Sequence, residues 1–550
     1  MPVKLPDFPN LPAAYNTESI RPRPPASIGG GGRRAARPSR VQSKDFALDT
    51  LGSGNKERMR AMTTHHEHQQ INTLSTPRLV IGAPQGRSGK TTFTLGLLRA
   101  LSRQGLPVQP YKKGPDYIDT SWHTAAAGRV SRNLDSFMMS QEDICRSLAQ
   151  HSQDCQFSLI EGAMGLFDGL DINGSASTAE IAKITSSPVL LVLDATRITR
   201  SLGAIVMGCQ HFDPNINIVG VVLNKIARAR QKELARETIE QYCRIPVVGA
   251  IPKDSRILIP DRHLGLVTNG EWSETDTFLD NLADVVSENV DIAKIMELAR
   301  TAAPLSYSTP TKFSVAQGYP LKTKPPAPRI GVIRDAAFSF YYPENLAVLE
   351  SKGAELVTIS ALAHQHLPKD LDALYIGGGF PEVFAEQLAN NGTLRQEIRL
   401  AGEDGLPIYA ECGGLMFLGR SIITGDGSYD MVGLLPLDTR MEKKPQGHGY
   451  TVMKVLENNT WFRQPKIRGH EFHNSSVLNL DRTKIEFGFE VERGHGIDGK
   501  YEGICYKGVM AAYNHIHALG SPDWAECMVK LATQYKERRS KMVFELFKSS

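Results

Sequence analysis

The stretch VIGAPQGRSGKTTFTLGLLRAL (80–101) constrains this chain more than any other. It reads as a buried strand, a glycine-bearing loop, Lys-Thr-Thr and then an amphipathic helix. Such a loop gathers backbone N–H groups round phosphate oxygens at a helix N-terminus, so a strand end and a helix start must lie side by side. Gly86 and Gly89 allow the tight backbone, Lys90 reaches the β- and γ-phosphates, and the Thr91 hydroxyl ligates Mg²⁺, with Thr92 beside it in the first turn. The strict pattern has glycine at position 84; here Pro84 stands there, so the loop is a variant. The predicted ligands are ATP and Mg²⁺.

A chain of 550 residues is too long for one compact core, and its organisation follows the same α/β logic. RLVIGAP (78–84), FSLIEGA (157–163), PVLLVLDA (188–195) and INIVGVVLNK (216–225) read as buried parallel strands separated by helical stretches. A Pro, Ser, Thr and Lys rich segment (301–328) reads as a linker. A second α/β unit begins at RIGVIRDAAF (329–338) and includes DALYIGGGF (372–380), PIYAEC (407–412) and GVMAAYNHIH (508–517). The expected fold is therefore two doubly wound α/β domains, 78–300 and 329–550. They follow an Arg, Pro and Gly rich tail (1–77) that has little to bury and is expected to be disordered. HHEH (65–68) in that tail reads as a solvated polar run. The net charge of +4 implies no nucleic-acid partner, and no apolar run reaches the ~20 residues of a membrane span. Seven scattered cysteines suit a reducing compartment, so the expected location is cytoplasmic, or mitochondrial if the tail is a transit peptide. A homodimer is left open.

Two further groups of residues carry chemistry in the first unit. Glu161 ends a hydrophobic strand, where a second Mg²⁺-organising carboxylate belongs. PYKKGPDYIDTSWH (110–123) sets Lys112 and Lys113 near Asp116 and Asp119 around Gly-Pro.

In the second unit, YAECGGLMFL (409–418) is a strand, a sharp turn and a helix, with Cys412 where a nucleophile elbow holds its reactive residue. Ala410, Gly413 and Gly414 are small because the elbow backbone is cramped. The N–H of Gly413 can point at an oxyanion, and a second donor can come from Gly378 or Gly379 in the GGGF run. A thiolate nucleophile needs a histidine base close in space, and His470, His473, His515 and His517 are the candidates.

QPYKKGPDYIDTSWHTAAAGRVSRNLDSFMM (109–139), EGAMGLFDG (161–169), STAEIAK (177–183), DRHLGLV (261–267), RDAAFSFYYPENL (334–346), YIGGGFPE (375–382) and AECGGLMFL (410–418) together resemble the cobyrinic acid a,c-diamide synthase family. The resemblance covers nearly everything after residue 78. It implies a dethiobiotin-synthetase-like ATPase domain joined to a class I glutamine amidotransferase domain. It further implies that ATP phosphorylates carboxylates of a corrinoid such as cobyrinic acid, and that ammonia from glutamine then forms the amides. On that likeness Lys112 stabilises the transferring phosphate and Asp116 and Asp119 organise metal or substrate. Asn224 contacts adenine, and His515 is the base of Cys412. Because His517 stands where many such enzymes carry a carboxylate, a Cys–His dyad is expected, with His470 and His473 shaping the site or the domain interface. Lys113 departs from the family's small apolar residue and reads as added surface charge. The four aromatics of RDAAFSFYYPENL are candidates to line an ammonia path. The same chemistry on another tetrapyrrole or polycarboxylic acid, and a non-catalytic nucleotide- or tetrapyrrole-binding regulator, are the alternatives.

Overall fold

The first α/β domain is built on a seven-stranded sheet in the order Arg132–Leu134, Val108–Lys113, Phe157–Glu161, Arg78–Gly82, Val189–Asp194, Ile218–Ile226, Val247–Pro252. Every pairing in it is parallel. Helices cover both faces, so the central strands are buried along their length, which is why they read as unbroken apolar runs. Two apolar clusters fill the faces, one round Val80, Ile160 and Leu191, the other round Leu79, Phe93 and Leu159. The chain is described here by a computed structural model over residues 70–257, 261–262, 265–266, 274–309 and 327–549. Most of the expected tail, including HHEH, and most of the expected linker lie outside the described residues.

The parts of those two segments that are described form a ribbon. Gln70–Leu74 pairs antiparallel with Leu305–Thr309, register Gln70↔Thr309 to Leu74↔Leu305. Arg78, fully buried, ties this ribbon to the sheet by donating to the carbonyls of Thr185 at 2.8 Å, Ser186 at 3.2 Å and Ala303. The described ends of the expected tail and linker thus pair with each other just outside the expected boundaries, two short polar strands satisfying each other's backbone without an apolar signature.

The second domain carries a ten-stranded sheet: Glu355–Ile359, Arg329–Ile333, Ala373–Ile376, Ile408–Glu411, Val509–Ala512, Tyr501–Tyr506, Glu486–Arg493, Gly447–Val455, Lys466–His473, His515–Ile516. The first five strands are parallel and flanked by helices, as expected. The rest are antiparallel, an extension the sequence reading did not anticipate. GVMAAYNHIH is also not one strand: the chain leaves the sheet centre after Ala512 and pairs again at the far edge, His515 opposite His470. The sheet is therefore curled, and its His515–Ile516 edge returns beside the C-terminus of Ile408–Glu411, in the middle of the sheet. Among the described residues no helix is long and apolar enough to cross a membrane.

The two domains belong to one compact unit and share a polar and aromatic seam. Arg132 pairs with Glu344 at 3.1 Å, Tyr450 donates to Asp135 at 2.6 Å, and the Phe137 ring packs on Tyr450 at 4.5 Å.

Candidate active site

The glycine-bearing loop runs from the C-terminal end of Arg78–Gly82 into helix Lys90–Arg103. Its left-handed residues are Arg87 (φ 59°) and Gly89 (φ 94°), so Pro84 meets no conformational conflict with its own fixed φ. A side chain on Gly89 would run into the Asn224 carboxamide. Gly86 lies at the bend and Thr92 is half-buried in the first turn. Lys90 Nζ donates to the Met164 carbonyl at 2.6 Å, and burial pulls its pKa down to about 8.

Next to it a buried charge cluster forms. Thr91 Oγ1 donates to Glu161 Oε1 at 2.6 Å and lies 3.5 Å from Asp119. Lys112 Nζ binds Glu161 Oε1 at 2.8 Å and also Asp119. His123 Nε2 lies 2.6 Å from Glu161 Oε2. Burial opposes the Glu161 charge, but Lys112 and His123 outweigh it and hold the carboxyl far below its ordinary range. Asp119 goes the other way: burial and the neighbouring Asp116 raise it to about 6. Asp116 Oδ1 accepts from the Asp119 N–H at 2.8 Å, which shapes the turn between the two carboxylates.

The second cluster forms where the His515–Ile516 edge returns to Ile408–Glu411. Ile408–Glu411 and Val509–Ala512 are parallel neighbours, and the Cys412 N–H donates to the Ala512 carbonyl at 2.7 Å. Cys412 sits at φ 50°, ψ −102°, a costly conformation for a residue with a Cβ, and caps helix Gly413–Leu418. A methyl on Gly413 would lie 3.1 Å from Gly379 N and 2.9 Å from Pro381 Cδ, so these two backbones press together. Gly378 instead faces His515: a methyl there would lie 2.6 Å from its Cε1. Burial disfavours the His515 imidazolium, yet hydrogen bonding to Cys412 and Glu411 more than compensates and raises its pKa to about 10.

Several expectations need correction. The dyad gains a neighbour: His517 does follow His515 by two, but turns to Glu344 at 3.5 Å, while Glu411 Oε2 lies 3.3 Å from His515 Nδ1. Asn224 donates to the Ser88 carbonyl at 3.0 Å and accepts from the Lys225 N–H at 2.9 Å. Its carboxamide thus ties the phosphate loop to the end of strand Ile218–Ile226. Lys113 is no surface charge: it ends the fully buried strand Val108–Lys113 near the Asp135 charge, and burial lowers its pKa. His470 stacks on His515 at 4.9 Å because the two are cross-strand partners, and burial keeps it neutral. His473 packs flat on Tyr513 at 3.6 Å with Nδ1 2.8 Å from the Ser475 carbonyl.

Sequence reasoning missed His123, Glu411 and Tyr117. His123 had a signal: it lies four residues after Asp119 on helix Ile118–Ala127, hence on the same face. Tyr117, between Asp116 and Asp119, stacks on Phe340 at 5.1 Å and lies 4.5 Å from Tyr342 and 5.3 Å from His515, centroid to centroid. One turn of chain therefore touches the charge cluster with its carboxylates and His515 with its ring.

Comparison with known proteins bears on both clusters. Residues 79–267 match the CobQ/CobB/MinD/ParA nucleotide binding domain, and residues 329–523 match the CobB/CobQ-like glutamine amidotransferase domain. The chain is 44% identical over 467 residues to a cobyrinate a,c-diamide synthase of Magnetococcus marinus, covering 84% of this chain and 98% of that one. It is 43% identical over 465 residues to the Archaeoglobus fulgidus enzyme of that name, with 84% and 99% covered. Against the Priestia megaterium enzyme of that name the figures are 41% over 471 residues, 85% and 99%. With both domain types in the same order and relatives matched along almost their whole length, the chain belongs to the cobyrinate a,c-diamide synthase family of ATP-dependent glutamine amidotransferases.

Proposed function

We propose that the chain amidates the a and c carboxylates of cobyrinic acid, or of a closely related corrinoid, through acyl phosphates. The observation that carries this is Tyr117, which joins a phosphate-transfer cluster to a thiol–imidazole pair within one turn of chain. A substrate carboxylate oxygen attacks the γ-phosphorus of ATP and ADP leaves, with Lys90 and Lys112 balancing the spreading negative charge. Thr91, Glu161 and Asp119 are hard-oxygen donors that suit Mg²⁺ and would hold it, where it would draw charge from the phosphate oxygens. In the other domain the Cys412 sulfur attacks the side-chain amide of glutamine. His515 gives its proton to the departing ammonia, and water, deprotonated by the same ring, releases glutamate from the thioester. Gly413 and Gly379 are the N–H pair assigned to the oxyanion, because their backbones meet beside Cys412. Ammonia then attacks the acyl carbon and expels phosphate. Tyr117, Phe340, Tyr342 and the neutral His470 lie beside His515 on the side of the other domain, and uncharged walls favour ammonia over ammonium.

Incubation with cobyrinic acid, ATP, Mg²⁺ and glutamine is expected to convert two carboxyls to amides, read by mass spectrometry. Glutamine hydrolysis without corrinoid conversion would move the substrate to another tetrapyrrole acid.

Lys90 supplies a pH signature. With its ammonium pKa near 8 in the free site, a bound triphosphate raises that value, so ATP binding takes up a proton at pH 9. Above pH 8 the affinity is expected to fall by up to about tenfold per pH unit. Calorimetry in buffers of different ionisation enthalpy measures both the affinity and the proton.

A further inference from the structure

The elbow presents two ionisable side chains in succession to the same ring. Glu411 is buried, and its two oxygens are fully employed round the base. Oε1 accepts from the Ile516 N–H at 3.3 Å, Oε2 accepts from Tyr375 Oη at 3.3 Å, and Oε2 lies 3.3 Å from His515 Nδ1. An ionised carboxylate can only accept, so Nδ1 carries a proton throughout and Nε2 is the nitrogen that exchanges one with Cys412. The other groups facing the ring are Cys412, Tyr117 and His470, and none of these supplies a second carboxylate.

We infer that Glu411 is the positioning residue of the glutaminase site, fixing the His515 tautomer and balancing the charge that forms on the ring. The inference rests on the amidotransferase reading above. When Nε2 takes the Cys412 proton, sulfur keeps the electron pair that attacks the amide carbon, and the ring becomes an imidazolium whose Nδ1–H already points at a carboxylate. The proton on Nε2 leaves with ammonia, and the Nδ1–H bond to Glu411 is kept. The carboxylate thus comes from the residue before the nucleophile, and the place after the base is released to His517, which pairs with Glu344 at the domain seam.

Glu411→Gln is the test, since the amide keeps the shape and removes the charge. Glutamine-dependent kcat is expected to fall about 10²-fold or more, while KM for glutamine and the ammonium-dependent rate change little. The second readout is alkylation of Cys412 by iodoacetamide against pH, followed on the Cys412 peptide. Its midpoint is expected to rise by about one pH unit or more, because the thiolate loses its imidazolium partner. An unmoved midpoint overturns the inference whatever the rate does. If the variant also loses ammonium-dependent turnover, Glu411→Asp decides: the charge-retaining side chain should bring the midpoint back down, and equal damage in both overturns the assignment. Cys412→Ala is the control for the reading beneath, since glutamine hydrolysis surviving in that variant would remove the reaction that Glu411 serves.

Discussion

Cys412→Ala abolishes glutamine-dependent amidation, by about 10³-fold or more, and leaves ammonium-dependent amidation within about twofold of the parent. On the proposed mechanism the thiol forms the acyl intermediate. Its backbone conformation, φ 50° and ψ −102°, is kept by the surrounding packing and persists in the variant. The cluster round Lys112 and Glu161 lies in the other domain, and the Tyr117 ring links its turn of chain to His515. Removing one sulfur atom leaves that ring, Lys112 and Glu161 where they were. Free ammonia supplied at high concentration then meets an intact acyl-phosphate site. The measurement is product formation with glutamine or with ammonium chloride at pH 8.5, with ATP hydrolysis followed in parallel. Equal loss with both nitrogen sources would place Cys412 in the fold and outside the chemistry.

What the sequence discloses and what it hides divide along a physical line. The phosphate loop and the elbow are legible because each is local: a strand, a turn that only small residues fit, and a helix, all contiguous. Glu161 is legible for the same reason, as the polar end of an apolar strand. The antiparallel half of the second sheet is not, because its strands alternate polar and apolar residues and their partners are distant in sequence. The late histidine is a case between the two. His515 stands out as a late histidine, but its meeting with Glu411 depends on the chain leaving the sheet at Ala512 and returning at the opposite edge. Periodicity carries no trace of that curl. Lys113 was misread because a lysine usually marks solvent, whereas this one ends a strand buried along its length and lies near Asp135.

Glu161→Gln stops amidation with either nitrogen source, by about 10²- to 10³-fold, and its stability effect has a pH sign of its own. The carboxylate is fully buried and is shared by Lys112, Thr91 and His123. Neutralising it leaves the buried Lys112 ammonium with Asp119 alone, and breaking such a pair costs about 3–5 kcal/mol. Asp119 carries part of the compensation, so the lower end of that range is expected. Because Lys112 and His123 hold the Glu161 pKa below its ordinary 4.5, its contribution is fully present above that pH. The contribution fades as pH falls below 4.5, where the unfolded chain takes up the proton first. The stability gap between parent and variant is therefore expected to be constant from pH 6 to 7.5 and to narrow towards pH 3, read from urea midpoints. Glutamine hydrolysis at the elbow should persist in this variant, since Cys412 and His515 lie in the other domain. A gap that widened on acidification would mean that Glu161 is held protonated, and then neither Lys112 nor a metal ion could be organised by its charge.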